Sequence, residues 1–220
     1  MTNYALDRFL APDVSKFTSA EIPDMSDHDT QSGHWLVNYV LSSILRGSFR
    51  PPQNAIVYNF LRRAEGAFSE HANAREQTLQ FLDSGRQSVS LYSTALRHWE
   101  FFLSQAWQGI ELLRRFPEEN FTAPYPVFQQ RDGSVEQRLN ALYNSMKHVE
   151  SRIVAGQIPE GATTPVWLAN EGIRTTDEIL TFEDTGVILR DLAEYSDLVV
   201  DPRTMGDKAR AREEDQSPSR

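Results

Sequence analysis

Cysteine is absent from the 220 residues, which removes a disulfide framework, a thiolate nucleophile, a Cys-ligated zinc and an iron–sulfur cluster together. Lysine is nearly absent as well, with Lys16, Lys147 and Lys208 alone against 19 arginines. Positive charge is short overall: 22 Lys and Arg face 31 Asp and Glu, a net charge of -9 that repels a phosphate backbone and argues against non-specific nucleic-acid binding. The 11 glycines contain no Gly-x-Gly pair, so neither a dinucleotide fold nor a phosphate loop has the close-spaced glycines it needs. None of the histidines at 28, 34, 71, 98 and 148 follows a Glu by three positions or another His by four, which excludes the usual bundle and helix metal sites. A nucleophile elbow, Gly-x-Ser-x-Gly, is missing too. Long apolar runs are lacking: the nearest, Trp35 to Leu45, is broken by Asn38, Ser42 and Ser43, so no membrane partner is expected. Met1 to Arg8 lacks the basic, apolar and small-residue succession of a secretory signal, and a cytoplasmic location is the expectation. No metal and no cofactor is expected.

What remains is an ordinary globular composition, 40% hydrophobic and 24% charged, with a mean hydropathy of -0.50. A chain of this length can hide about 70% of its unfolded surface, enough for one core. Residues 1–33 read as a polar, irregular arm in which Asp24, Asp27, His28 and Asp29 form an acidic patch; their residue types suit a divalent ion, but on an arm they read as solvated charge and are left unassigned. Residues 34–200 read as a single helical-bundle domain, and 201–220 as a disordered tail without apolar partners.

Inside the domain the spacing predicts a first helix over 34–46, with Trp35, Val37, Tyr39, Val40, Leu41 and Ile44 as its apolar set. A second begins near Gln53 and runs towards Gly85, with an interruption expected in the polar stretch Ser69 to Gln77. The strongest signal is Val89, Tyr92, Leu96, Trp99, Leu103, Ala106, Ile110 and Leu113, stepping by three and four along one long amphipathic helix. Trp99 and Trp107 fall on or beside that seam and read as core. After a linker with Pro124 and Pro126, Ser134-x-x-Gln137 is a capping-box pattern opening a helix with the stripe Val135, Leu139, Leu142, Met146, Val149 and Ile153, stopping near Gly156. Two short extended pieces around a turn near 164–176 are the strand candidates, with Trp167 as a packing anchor, and Thr181-x-x-Asp184 caps a last helix. The fold class is therefore all-α: a four- to five-helix bundle with a short β-hairpin and disordered termini.

One segment carries candidate chemistry. On the helix over 134–155, Asn140, Asn144, Lys147, His148 and Ser151 project away from the apolar stripe and form a polar ridge. Such a face is either a water-facing surface or a groove or dimer face presenting an imidazole, an ammonium and two amides. In the second case it could bind or position a phosphate, since imidazole exchanges protons near neutrality and Lys screens developing negative charge. Glu100 falls off the long helix's seam and could pair with Arg97 or with the ridge.

Asn144-Ser-Met-Lys147-His148 within this helical pattern resembles the diagnostic helix of the HEPN superfamily, all-α proteins that often act as RNA-cleaving toxins, defence nucleases or nucleotide-handling partners. The resemblance covers that helix, while His98-Trp99-Glu100 and Pro165-Val166-Trp167-Leu168 look like segments of bacterial relatives of this type. Together with the ridge it points to His148, Asn144, Lys147 and Arg152 as catalytic groups and to Asn140, Ser151 and Glu100 as binding groups, and the resemblance implies a site completed across a homodimer. Active members place an Arg just before the Asn; here that position is Tyr143, which cannot hold phosphate by charge, so the resemblance implies a degenerate member unless Arg152 supplies the guanidinium from the next turn. The function it implies is RNA-directed, either metal-independent cleavage or RNA and nucleotide binding. The other class open to the sequence is a non-enzymatic helical module for protein partners or dimerisation.

Overall fold

The computed structural model describes residues 3–28, 33–47, 49–116, 133–156, 158 and 163–201. The expected tail beyond 201 and the linker with Pro124 and Pro126 lie outside the described residues. Seven α-helices are described, α1 (Asn3–Phe9), α2 (Trp35–Arg46), α3 (Gln53–Asp83), α4 (Val89–Leu113), α5 (Val135–Lys147), α6 (Val149–Val154) and α7 (Phe182–Val199), with three short strands, β1 (Trp167–Ala169), β2 (Gly172–Arg174) and β3 (Ile179–Thr181). The chain is mostly helical with one small antiparallel sheet, in the order β1-β2-β3.

The centre is the antiparallel pair of α3 and α4. Its register is marked by His98 Nδ1 at 2.7 Å from Glu70 Oε2, by Trp99 Nε1 donating to Thr78 Oγ1 at 3.0 Å and by Phe81 meeting Tyr92 edge to face at 5.3 Å. α3 is continuous over 31 residues, without the expected interruption. Its polar middle buries His71, Ala74 and Thr78 in step with Ala64, Ala67, Phe68 and Phe81, so the helical period runs straight through. α4 keeps the expected stripe, with Trp99 and Trp107 both buried.

α7 closes one side of this pair. Thr181 and Asp184 make the full capping box: Asp184 N donates to Thr181 Oγ1 at 3.1 Å and Thr181 N to Asp184 Oδ2 at 3.0 Å. The second Asp184 oxygen takes Arg138 Nη2 at 2.8 Å and so fastens α5 to the start of α7. The hairpin forms where expected, with Trp167 opposite Arg174, and Ile179 to Thr181 adds a third strand in front of the cap. At Gly172 a Cβ would lie 2.1 Å from the Leu180 carbonyl oxygen, so only glycine lets β2 and β3 approach.

The expected polar arm is a correction. Leu6, Ala11, Val14, Phe17, Ile22 and Met25 are all buried in the common core, and Phe17 stacks on Phe81 with ring centres 6.0 Å apart. Polar ties hold the segment down: Asn170 Oδ1 accepts from Thr18 N at 2.8 Å and Ser19 N at 3.2 Å, and Thr163 N donates to Leu10 O at 3.2 Å. These apolar residues follow no helical or strand period, because the segment is mostly irregular chain laid over the bundle.

α2 departs most from its sequence pattern. Only Trp35 and Tyr39 of its apolar set turn inward. Trp35 Nε1 donates to Asp197 Oδ1 at 2.7 Å, and Glu65 Oε1 accepts from Leu36 N at 2.8 Å, so α3 caps the helix that His34 leaves without a side-chain cap. The remaining members face outward, with Val37 at 55%, Val40 at 38%, Leu41 at 51%, Ile44 at 74% and Leu45 at 77% exposure. The helix expected to bury one apolar stripe carries two, and only the narrower is covered.

Candidate functional site

The ridge begins on α5. Ser134 Oγ accepts from Gln137 N at 3.1 Å, while Gln137 Oε1 reaches back to Gly133 N at 2.6 Å, one residue beyond the reciprocal partner of a standard capping box. Leu139 and Leu142 bury the inner face against the bundle. Asn140 is half-exposed and its Oδ1 accepts from Asn144 Nδ2 at 2.8 Å, so the two amides form one hydrogen-bonded pair along the helix. Asn144, Lys147 and His148 are exposed.

The helix expected to run on to 155 breaks at His148, which has φ -107° and ψ 23° and ends α5 while opening α6. Its backbone N donates to Asn144 O and its carbonyl accepts from Arg152 N, both at 3.1 Å. The break resets the helical phase. Leu139 and Leu142 stay in the core, Val149 is half-buried, and Ile153, expected on the same apolar stripe, is 57% exposed. Ser151 is exposed and Arg152 half-exposed, both on α6, so the continuous helical face that was to carry them with Asn144 does not exist. Among the described residues no side-chain hydrogen bond or ion pair joins His148, Lys147, Ser151 and Arg152 to one another.

Tyr143, at the position where an arginine would hold phosphate, turns inward, its ring centre 6.4 Å from that of Trp107 on α4. Arg63 Nη1 donates to Gln105 Oε1 at 2.9 Å; burial and Arg62 push the Arg63 guanidinium below its ordinary value while Tyr143 opposes them. Glu100 is half-buried on α4, and burial pushes its carboxyl above the usual carboxylate range. Among the described residues it pairs neither with Arg97 nor with a ridge residue, and the sequence-expected ion pair is corrected on that point. Of the seven candidate residues the structure brings together Asn140 and Asn144 in contact and sets Lys147 and His148 beside them at the helix end.

Sequence reasoning passed over His71. It is 1% exposed on α3, and its Nε2 stands 3.1 Å from Thr185 Oγ1 of α7. The Thr185 hydroxyl donates to the Phe182 carbonyl at 2.6 Å, so its oxygen accepts from Nε2–H. Trp99 at 5.4 Å and Phe102 at 5.6 Å meet the ring edge to face. Burial pushes the imidazole down to about 4, with Arg75 adding to the effect and Asp24 opposing it. Arg75 Nη2 lies 3.4 Å from Asp24 Oδ2, and Asp24, Met25, Phe68 and Arg75 line a cavity of about 70 Å³ beside the ring. An imidazole that stays neutral down to this range acts as a hydrogen-bonding clamp and not as an acid at neutral pH. The signal for it was present: residues 64, 67, 68, 71, 74, 78 and 81 keep the three-four step if polar members are admitted. Asp24 and His28 of the acidic patch are occupied elsewhere, Asp24 with Arg75 and with Ser26 N at 3.0 Å, and His28 with its ring 6.1 Å from Phe68. Among the described residues no group of His, Asp and Glu is arranged to hold a metal ion, and no helix is long and apolar enough to cross a membrane.

The third feature is the outer face of α2. Beside it, between α2 and α3, runs a groove of about 390 Å³ lined by Tyr39, Val40, Ile44, Ala55 and Tyr58 among others. The five exposed aliphatic side chains of the helix amount to apolar surface on the order of 500 Å², at the upper end of what a monomer leaves uncovered. Comparison with protein-family models, with curated proteins and with solved structures returns no match.

Proposed function

We propose that this chain is a helical protein–protein interaction module whose contact element is α2. The observation that carries the proposal is the uncovered apolar face of Val37, Val40, Leu41, Ile44 and Leu45, on a helix anchored at its inner side by Trp35 and Tyr39. A helix that is apolar on both sides belongs in the interior of something larger than the bundle that presents it. Installing a photoreactive phenylalanine analogue at Ile44 should capture one protein of defined mass on irradiation in the cells that make the chain. The same group at exposed Arg62 on α3 should capture none. No adduct at position 44, or the same products at both positions, would reject the proposal.

A second reading, that of an RNA-directed HEPN-like protein, is supported by the accessibility of Asn144, Lys147 and His148 on one helix end. Tyr143 packed on Trp107 weighs towards its degenerate, RNA-binding form. On this reading the purified chain cleaves or binds RNA in the presence of a chelator. His148→Ala should then lower that activity at least tenfold with an unchanged melting temperature, because the side chain is exposed. Equal activity in the variant, or neither cleavage nor binding by the parent, would remove the reading.

A further inference from the structure

We infer that the partner seated on the outer face of α2 is a second copy of this chain, paired helix against helix about a two-fold axis. The inference rests on the interaction-module reading and names the occupant of the same surface.

Charge selects the occupant. No acidic residue occurs between positions 31 and 64 in a chain that carries 31 of them, so α2 and the start of α3 form the one long stretch where two copies of net charge -9 can meet without carboxylates facing carboxylates. The ends of α2 are of opposite sign. Its N-terminal end is bordered by Glu65, which accepts from Leu36 N, and by exposed Asp197, which accepts from Trp35 Nε1. Beyond its C-terminal end stands exposed Arg50. An antiparallel pairing of two such helices lays the Arg50 end of each copy beside the carboxylate end of the other. A partner of uniform charge would satisfy one end and oppose the other.

The apolar pattern fits the same symmetry. Val37, Leu41 and Ile44 step by four and then three, so a two-fold axis near Leu41 sets Val37 of each copy against Ile44 of its mate. Val40 leads from this stripe into the groove walled by Tyr39, Ala55 and half-exposed Tyr58, which has room for an aliphatic side chain from the facing copy. With the aliphatic face on the order of 500 Å² and the groove rim added, each copy approaches the ~800 Å² per partner of a stable interface.

Light scattering and sedimentation on the full chain test this. Up to ~100 μM the parent should show a species of twice 25.1 kDa. Ile44→Glu should weaken association at least 100-fold with the helical circular dichroism unchanged, since the residue is exposed in the single copy. Arg50→Glu should weaken it more modestly and reverse the effect of added salt. A parent that stays at the single-chain mass, or a dimer indifferent to Ile44→Glu, overturns the inference. A single-chain mass together with capture of a different protein at position 44 rejects the second copy and leaves the interaction module standing, whereas capture of nothing rejects both.

Discussion

Truncation of Trp99 to alanine is expected to cost about 4 kcal/mol of folding stability, a large share of what a domain of this size possesses. The indole is fully buried where three helices meet. Its ring lies 5.4 Å from His71 of α3, 5.7 Å from Phe102 of its own helix and 5.4 Å from Phe182 at the start of α7. Its Nε1 donates to Thr78 Oγ1 at 3.0 Å, so truncation leaves a cavity and also deprives a buried hydroxyl of its donor. Trp99→Phe keeps much of the ring packing and should cost about half as much. Urea unfolding at pH 7 measures both; a loss below 1 kcal/mol for the alanine variant would mean that this junction does not hold the helices together.

The second expectation concerns acid. Folded His71 titrates at about 4 against an ordinary value of 6.5. The unfolded chain therefore takes up a proton at a pH where the folded chain still refuses it. Stability from this group is fully present above pH 6.5, falls by about 1.4 kcal/mol per pH unit below that, and is exhausted near pH 4, a total of about 3 kcal/mol. The groups facing the ring are Thr185 from α7, Arg75 from its own helix and Asp24 from the N-terminal segment. Arg75 repels the protonated ring and exposed Asp24 only partly compensates. Carboxylates titrate across the lower part of the same window, so the measurement is a comparison. His71→Gln can still donate an N–H to Thr185 but does not titrate, and its stability should drop less than the parent's between pH 6.5 and 4, by about 3 kcal/mol. Parallel pH profiles for the two proteins would show that the imidazole is not held neutral.

The parts of this fold that could be read from sequence are those where burial follows one local period. Val89 to Leu113 is such a case, as is the Thr181–Asp184 cap, whose two bonds join residues three apart. α3 is legible at both ends and not in its middle, because His71 and Thr78 are buried polar residues whose partners, Thr185 and Trp99, lie 114 and 21 positions away. Thr181 reads only as the cap of the last helix until β2 is seen beside Ile179 to Thr181. The burial of Val14, Phe17 and Ile22 depends wholly on distant surfaces and has no local signature. At the candidate site the outward direction of Asn140, Asn144, Lys147 and His148 was legible from the helical period. The break at His148 was not, since no Gly or Pro marks it, and neither was the exposure of α2: periodicity shows that a helix has an apolar side without showing what covers it.

The seating of residues 6–25 has a consequence for biosynthesis. Leu10 is tied to Thr163 and Thr18 to Asn170, partners 153 and 152 positions further along. At ~5–20 residues per second, these partners leave the ribosome on the order of ten seconds after the segment they receive. Throughout that interval Leu10 and Thr18 on the nascent chain lack these partners, although Phe81, on which Phe17 stacks, emerges sooner, and the segment stays open to chaperones and to neighbouring nascent chains. A stretch translated well ahead of two of its partners is thus among the last to be fully seated.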